Sequence, residues 1–245
     1  MKKHLLATAL LASSFTANAT IVEMQTDLGS ITVHLYDQQT PVTVENFLNY
    51  VADGSYDGTV IHRSVDNFIL QGGGFKFGTD FDAIDTADAI TNEPELSNVK
   101  GTIAMAKLGG NANSATSQWF FNLKDNSANL DLQNGGFTVF GEVTVQSMAV
   151  IEQITELVHC GEIPVVNLNE EQCPDTTSGF SGENLFYINS VTVIDDDPNS
   201  SASLSPKENT LIDEDDASDN GGSSSGGSLA WMLSLLALAG FARRK

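Results

Sequence analysis

Short apolar runs, ended by glycine, aspartate or asparagine, recur through most of this chain and constrain its fold more than any other feature. Ile21 to Thr26 and Ser30 to Tyr36 alternate between apolar and polar residues and flank Asp27-Leu28-Gly29, a pattern that predicts a β-hairpin. Runs of this length fit strands better than helices. Further strands are predicted at 59–62, 68–71, 102–106, 119–122, 138–143 and 185–194.

Two segments show helical periodicity instead. Thr40-Pro41 is a typical helix start because proline suits the first helical position. Apolar residues then recur at i, i+3, i+4 and i+7 from Val44, and Asp53-Gly54 ends the pattern. A second helix is predicted at 145–158. Many short strands with two helices predict a mainly β fold, a closed antiparallel barrel capped by helices.

The amino terminus has the layout of a secretory signal peptide. Lys2 and Lys3 precede an apolar run from Leu5 to Leu11, and Ala17-Asn18-Ala19 is a small-residue cleavage site. We therefore expect a signal peptide at 1–19, a mature chain that begins at Thr20, and one folded domain at 20–197.

The carboxyl-terminal region has a different composition. Residues 198–228 are mostly Ser, Asp, Asn and Gly, which predicts a flexible linker. The acidic residues 213–216 within it lack the ligand spacing of a calcium loop. Residues 229–242 are mostly apolar and 243–245 are basic. As a helix this run would span roughly 21 Å, against about 30 Å of bilayer hydrocarbon.

This tail resembles the glycine-glycine sorting signal of Gram-negative bacteria, which a rhomboid-type intramembrane protease removes. The resemblance implies export to the periplasm or cell surface, with transient anchoring in the inner membrane by the helix. A plain single-span transmembrane anchor is the alternative.

Charge and composition exclude several classes of function. The chain has 11 basic and 32 acidic residues, a net charge of −21, which disfavours nucleic-acid binding and docking on anionic lipid. Four histidines and two cysteines offer little material for a metal site, and no cofactor is expected. In an exported protein Cys160 and Cys173 are expected to form a disulfide. A Cys–His nucleophile that uses His159 is the weaker alternative, because nothing orients the base.

Six sequence blocks carry a more specific signal. They are Thr59 to Arg63 (TVIHR), Asn67 to Phe75 (NFILQGGGF), Gly101 to Ala106 (GTIAMA), Ser114 to Asn122 (SATSQWFFN), Asn129 to Asp131 (NLD) and Phe137 to Gly141 (FTVFG). In this order they resemble the cyclophilins, a family of peptidyl-prolyl cis-trans isomerases, and most of all the bacterial periplasmic members. The resemblance covers residues 21–157 and 185–194. It implies an eight-stranded antiparallel barrel with two capping helices and an insertion at 159–184.

The resemblance implies that Arg63 and Gln71 are catalytic. An X–Pro bond isomerises slowly because the amide must lose its resonance. The twisted amide gains a lone pair on the prolyl nitrogen, which a permanently charged, forked donor such as Arg63 can stabilise. Arg63 is one of five Lys or Arg residues between positions 20 and 197. Without the resemblance, a salt bridge from Arg63 to an acid such as Asp66 would be the simpler interpretation.

The same resemblance implies a set of substrate-binding residues. Those of the proline pocket and its rim are Phe68, Ile69, Gln118, Phe120, Leu130 and Phe137, and those of the peptide-binding edge are Ala106 and the backbone at Lys107. From the residues alone, the apolar members would be interpreted as core. The tryptophan of many family members is replaced by Asn129, which implies weaker binding of cyclosporin. Gly72-Gly73-Gly74 lacks the Lys-Ser/Thr of a phosphate loop.

We therefore expect an isomerase that acts on proline-containing segments of exported proteins. A proline-peptide binding or chaperone module with little turnover is the main alternative. An extracellular adhesion or assembly protein that uses its acidic surface is the third hypothesis. The sequence identifies no substrate protein.

Overall fold

The computed structural model describes residues 20–196 and 204–212. The predicted signal peptide and apolar tail lie outside these ranges, as does most of the predicted linker. Within the described ranges, no helix has the length and apolar character that crossing a bilayer requires.

Besides four short 3-10 helices, the described part of the chain contains thirteen strands and three α-helices. In chain order they are β1 (Ile21–Thr26), β2 (Gly29–Leu35), α1 (Pro41–Ala52), β3 (Thr59–Val60), β4 (Arg63–Val65), β5 (Ile69–Gly72), β6 (Phe75–Phe77), β7 (Phe81–Ala83), β8 (Thr102–Met105), β9 (Trp119–Asn122), α2 (Ser127–Leu130), β10 (Val139–Val143), α3 (Val145–Thr155), β11 (Val158–Cys160), β12 (Ile163–Val165) and β13 (Tyr187–Asp195). The mainly β prediction is confirmed, and so are the first hairpin and helix α1.

Eleven of the strands form one antiparallel sheet, in the order β4-β5-β9-β8-β10-β2-β1-β13-β3-β6-β7. β3 and β4 lie far apart in this order, yet only Ile61 and His62 separate them in sequence. Two residues span only a few ångströms, so the sheet must curl until these strands are neighbours. The pairing runs from β4 to β7 and does not confirm a closed eight-stranded barrel.

The core lies inside this curled sheet, where the helices pack against it. Val44, Phe47 and Val51 of α1 are buried with Ile151 and Ile154 of α3 in the main apolar cluster. Helix α3 ends at Thr155, before the predicted end at 158, because Val158–Cys160 pairs with Ile163–Val165 as a separate hairpin.

The predicted insertion at 159–184 folds onto one side of the domain. Cys160 and Cys173 are joined by a disulfide, as predicted. Ile163 and Val165 of β12 and Phe180 bury their side chains in an apolar cluster that also contains Val60 and Phe75. Bridging a loop of this size stabilises a fold by about 3 kcal/mol in the chain-entropy account.

Part of the predicted linker also lies against the domain. Residues 204–212, called the strap below, run beside residues 94–98, and the amide of Ser97 donates to the carbonyl of Lys207 at 2.8 Å. Asn209 is buried, and its Nδ2 donates to the carbonyls of Pro94 and Asp131 at 3.0 and 2.9 Å. These nine residues make specific contacts with the domain through Asn209, the carbonyl of Lys207 and Leu204. The flexible linker stays a prediction for the rest of residues 198–228.

Candidate active site

Sheet register brings the predicted site residues together. Arg63 on β4 lies opposite Gln71 on β5, and Gln71 lies opposite Phe120 on β9. Phe120 in turn lies opposite Ala104 on β8. Because directly opposed residues have neighbouring side chains on one face, residues distant in sequence become a single patch.

The apolar members of the predicted site pack into one cluster. Ile69, Phe120, Leu130 and Phe137 are each at most 5% exposed. The other buried members are Tyr36, Leu96, Ala104, Ala106 and Val139, and the partly buried Phe68 and Leu204 pack against them. The rings of Phe120 and Phe137 meet edge to face, with centroids 5.8 Å apart, an arrangement that aromatic pairs favour.

Three polar side chains, joined in series by hydrogen bonds, border this cluster. Arg63 Nη1 donates to Gln71 Oε1 at 3.5 Å, and Gln71 Nε2 donates to Gln118 Oε1 at 2.8 Å. Gln71 and Gln118 line a hollow of about 150 Å³ together with Ala106, Lys107, Leu108, Ser114 and Thr116. Ala106 belongs to both the hollow and the apolar cluster, so the two adjoin.

The guanidinium of Arg63 has an acidic partner that sequence reasoning missed. Its Nε donates to Glu162 Oε2 at 2.6 Å. The salt bridge to an acid that the simpler interpretation expects is therefore present, but the acid is Glu162, which is 99 positions away in the insertion, and not the nearby Asp66. No local pattern in the sequence indicates this pairing.

The side chain of Lys107 makes several contacts within the domain. Its Nζ donates to the carbonyls of Asn134 and Gly136 and lies 4.8 Å from the ring centre of Phe137. Burial lowers the pKa of Lys107 to about 8. This side chain therefore supports the loop beside the apolar cluster, and the role of the Lys107 backbone at the peptide edge stays a prediction.

Ala106 has its backbone amide bonded within the domain. Its amide donates to the carbonyl of Gln118 at 2.9 Å. That amide is engaged within the domain, so a peptide held at this edge would use other main-chain groups.

The three consecutive glycines after Gln71 make close packing possible. A Cβ on Gly72 would lie 2.9 Å from the ring of Trp119, and one on Gly74 would lie 2.7 Å from Cδ of Gln118. Gly73 has a φ of +76°, which glycine adopts without strain. The glycines thus let β9 approach β5 and position Gln118.

Asn129, which stands where many family members have tryptophan, bonds to a residue four positions along the chain: its Oδ1 accepts a hydrogen bond from Gln133 Nε2.

His62, beside Arg63, is buried and packs edge to face on Phe75. Burial lowers its pKa to about 4 and outweighs the opposing effect of hydrogen bonds with Val60 and Gln118. This environment agrees with a structural histidine.

Comparisons with known proteins identify the family. The model of the family described as "Cyclophilin type peptidyl-prolyl cis-trans isomerase/CLD" matches residues 21–177. A peptidyl-prolyl cis-trans isomerase of Acinetobacter baylyi is 41% identical over 151 residues, which cover 60% of this chain and 78% of that protein. Peptidyl-prolyl cis-trans isomerase B of Escherichia coli is 39% identical over 140 residues, 55% of this chain and 83% of that protein.

A solved structure has a similar fold at lower sequence similarity. A crystal structure of a cyclophilin-type isomerase from Cryptosporidium parvum superposes with a TM-score of 0.51 and 20% identity, covering 72% of this chain and 98% of that one. With the family model, the relatives and the fold in agreement, the chain belongs to the cyclophilin-type peptidyl-prolyl cis-trans isomerases and is an enzyme of that type.

Proposed function

We propose that this isomerase acts on X–Pro bonds of exported proteins and that Arg63 is its catalytic residue. The observation that supports the role of Arg63 most strongly is its position on β4. There it contacts Gln71, which lines the hollow that adjoins the apolar cluster of Ile69, Phe120 and Leu130.

The chemistry requires the site to favour a twisted amide over both planar forms. No bond to a heavy atom is made or broken, so the barrier of about 18–20 kcal/mol is the loss of amide resonance. A guanidinium N–H aimed at the prolyl nitrogen stabilises the lone pair that appears there. Apolar surroundings strengthen this hydrogen bond, because the interaction is electrostatic.

The remaining predicted residues would orient the peptide. The apolar cluster accepts the proline ring, while Gln71 and Gln118 form a hydrogen-bonded pair that fixes the guanidinium and lines the hollow. The main chain at Lys107 would hold the peptide as an added strand. The hollow beside it has room for a side chain of the residues that precede proline.

A coupled assay tests catalysis by Arg63. The purified protein should accelerate cis-trans isomerisation of a proline reporter peptide, and Arg63→Ala should lower kcat/KM by about 10²- to 10³-fold, as loss of one preorganised donor does in other enzymes. Lys76→Ala, which removes an exposed charge on β6, is the matched control and should be unaffected. An Arg63→Ala variant as fast as the wild type would exclude this mechanism. A wild type that binds the peptide but leaves the buffer rate unchanged would favour the binding-module alternative.

We also propose that the protein is exported and sorted by its tail. The signal-peptide layout of residues 1–19 and the glycine pairs, apolar run and basic end of residues 221–245 support this. The expected partner is a rhomboid-type sorting protease, and the expected place is the periplasm or cell surface. The intact mass of the cellular protein should lack both segments. A mass that retains residues 229–245 would favour a permanent anchor.

A further inference from the structure

The insertion places a carboxylate on the candidate catalytic arginine. The Arg63 side chain is 10% exposed, while that of Glu162 is 46% exposed. The other two ion pairs among the described residues join side chains that are each more than half exposed. The Arg63–Glu162 pair is thus the one in which a carboxylate holds a nearly buried cation.

Two hydrogen bonds fasten Glu162 to strand β4. Its side chain accepts from Arg63 Nε, and its backbone carbonyl accepts from the amide of Ser64 at 2.6 Å. The main-chain bond holds the backbone of Glu162 next to Arg63, and the side-chain bond then places its carboxylate on the guanidinium.

The hairpin that carries Glu162 is itself well anchored. Cys160, the last residue of β11, pairs with Ile163, the first residue of β12, so Gly161 and Glu162 form a two-residue turn. Gly161 has a φ of +67°, which suits the first position of such a turn. The Cys160–Cys173 disulfide then ties β11 to the segment that follows β12.

This arrangement divides the donors of the guanidinium between two sides. The Nε edge is occupied by Glu162, and Nη1 faces Gln71 beside the hollow. A guanidinium is planar, so fixing one edge fixes the direction of the others. Small errors in the position of a catalytic group reduce rates strongly.

We propose that Glu162 is a positioning residue that holds Arg63 in its catalytic orientation, with the disulfide-linked hairpin as its support. The inference rests on the proposed catalytic role of Arg63. Glu162 does not line the hollow beside Gln71, so its loss should slow interconversion of bound peptide and leave peptide affinity largely unchanged.

The experiment measures, by NMR exchange, the cis-trans interconversion rate of a proline peptide bound to the purified protein, and its Kd by calorimetry. Glu162→Gln should reduce the rate roughly tenfold with Kd within about twofold, and Glu162→Asp should recover part of the loss. Glu170→Gln is the matched control, because Glu170 borders the same surface hollow as Glu162. A Cys160→Ala/Cys173→Ala variant should reduce the rate by less than Glu162→Gln.

Other results would overturn the inference. A Glu162→Gln rate equal to or above that of the wild type, or a parallel loss of affinity and melting temperature, would exclude positioning. If Arg63→Ala is strongly impaired in the same experiment, the proposed function survives such a result. If Arg63→Ala is unimpaired, the proposed catalytic role of Arg63 is wrong, and the inference about Glu162 is then wrong with it.

Discussion

At the scale of single residues, the site depends on groups whose neighbours come from distant parts of the chain. The sequence blocks predict Arg63, Gln71 and Phe120, and the sheet register places them together. Glu162 could not be predicted in the same way, because its contact with Arg63 depends on how the insertion folds back. His62, next to Arg63, shows how burial decides the role of a polar residue.

His62 should make the protein sensitive to mild acid. Its pKa is 6.5 when unperturbed and about 4 in the folded state, so the unfolded chain binds more protons between these values. The free energy of unfolding should fall by about 3 kcal/mol as the pH drops from 6.5 to 4, with little further loss from this residue below pH 4. Urea unfolding at a series of pH values measures this.

His62→Gln is the informative variant, because it removes the titrating group. Its stability should decline less over this pH interval than that of the wild type. His34→Gln, which alters a histidine on β2 and keeps His62, is the control and should retain the decline. Identical pH profiles for His62→Gln and the wild type would contradict the prediction.

At the scale of elements, local sequence patterns predict the strands and helices that are stabilised mainly by interactions between residues close in sequence. The hairpin β1–β2 and helix α1 have clear turn, proline and periodicity signals, and both form as expected. The hairpin β11–β12 was missed because Val158 continues the apolar pattern of α3, and only pairing with Val165 makes it a strand. The strap was missed because its composition is that of a linker, and its order depends on contacts with residues 94–98.

The strap should contribute to stability through Asn209. Its buried side-chain amide bridges two carbonyls, and removing the donor leaves both without that partner. Asn209→Ala should therefore lower the free energy of unfolding by about 1–3 kcal/mol, measured by urea denaturation. Asn189→Ala is the control, because the Asn189 amide donates to Asp27 at the surface. Equal, small effects of the two variants would show that the strap adds nothing to stability.

At the scale of the whole molecule, the dominant property is negative charge. The chain carries a net charge of −21, and its few cations include Arg63 and Lys107, which are both buried. A protein with one sign of charge attracts ligands of the opposite sign over distances set by ionic strength. The electrostatic field of the whole protein should therefore favour positively charged peptides, even among peptides that make the same contacts within the site.

Lysine-flanked proline peptides should be isomerised more efficiently than glutamate-flanked ones at low salt. We expect the ratio of their kcat/KM values to be roughly tenfold near 20 mM salt and to approach one near 500 mM. A peptide with neutral flanks is the control and should change little. If the ratio were independent of salt, contacts within the site rather than long-range attraction would determine the preference.

The close approach of β5 and β9 also gives the protein an optical probe of its own. Trp119 is fully buried beside Gly72 and Gly73, and the chain has one other tryptophan, Trp231, within the proposed sorting tail. Once that tail is removed, all indole fluorescence arises from a single ring in an apolar environment, with blue-shifted emission. Because Trp119 lies in the main apolar cluster, that emission can follow unfolding of the core without any added dye.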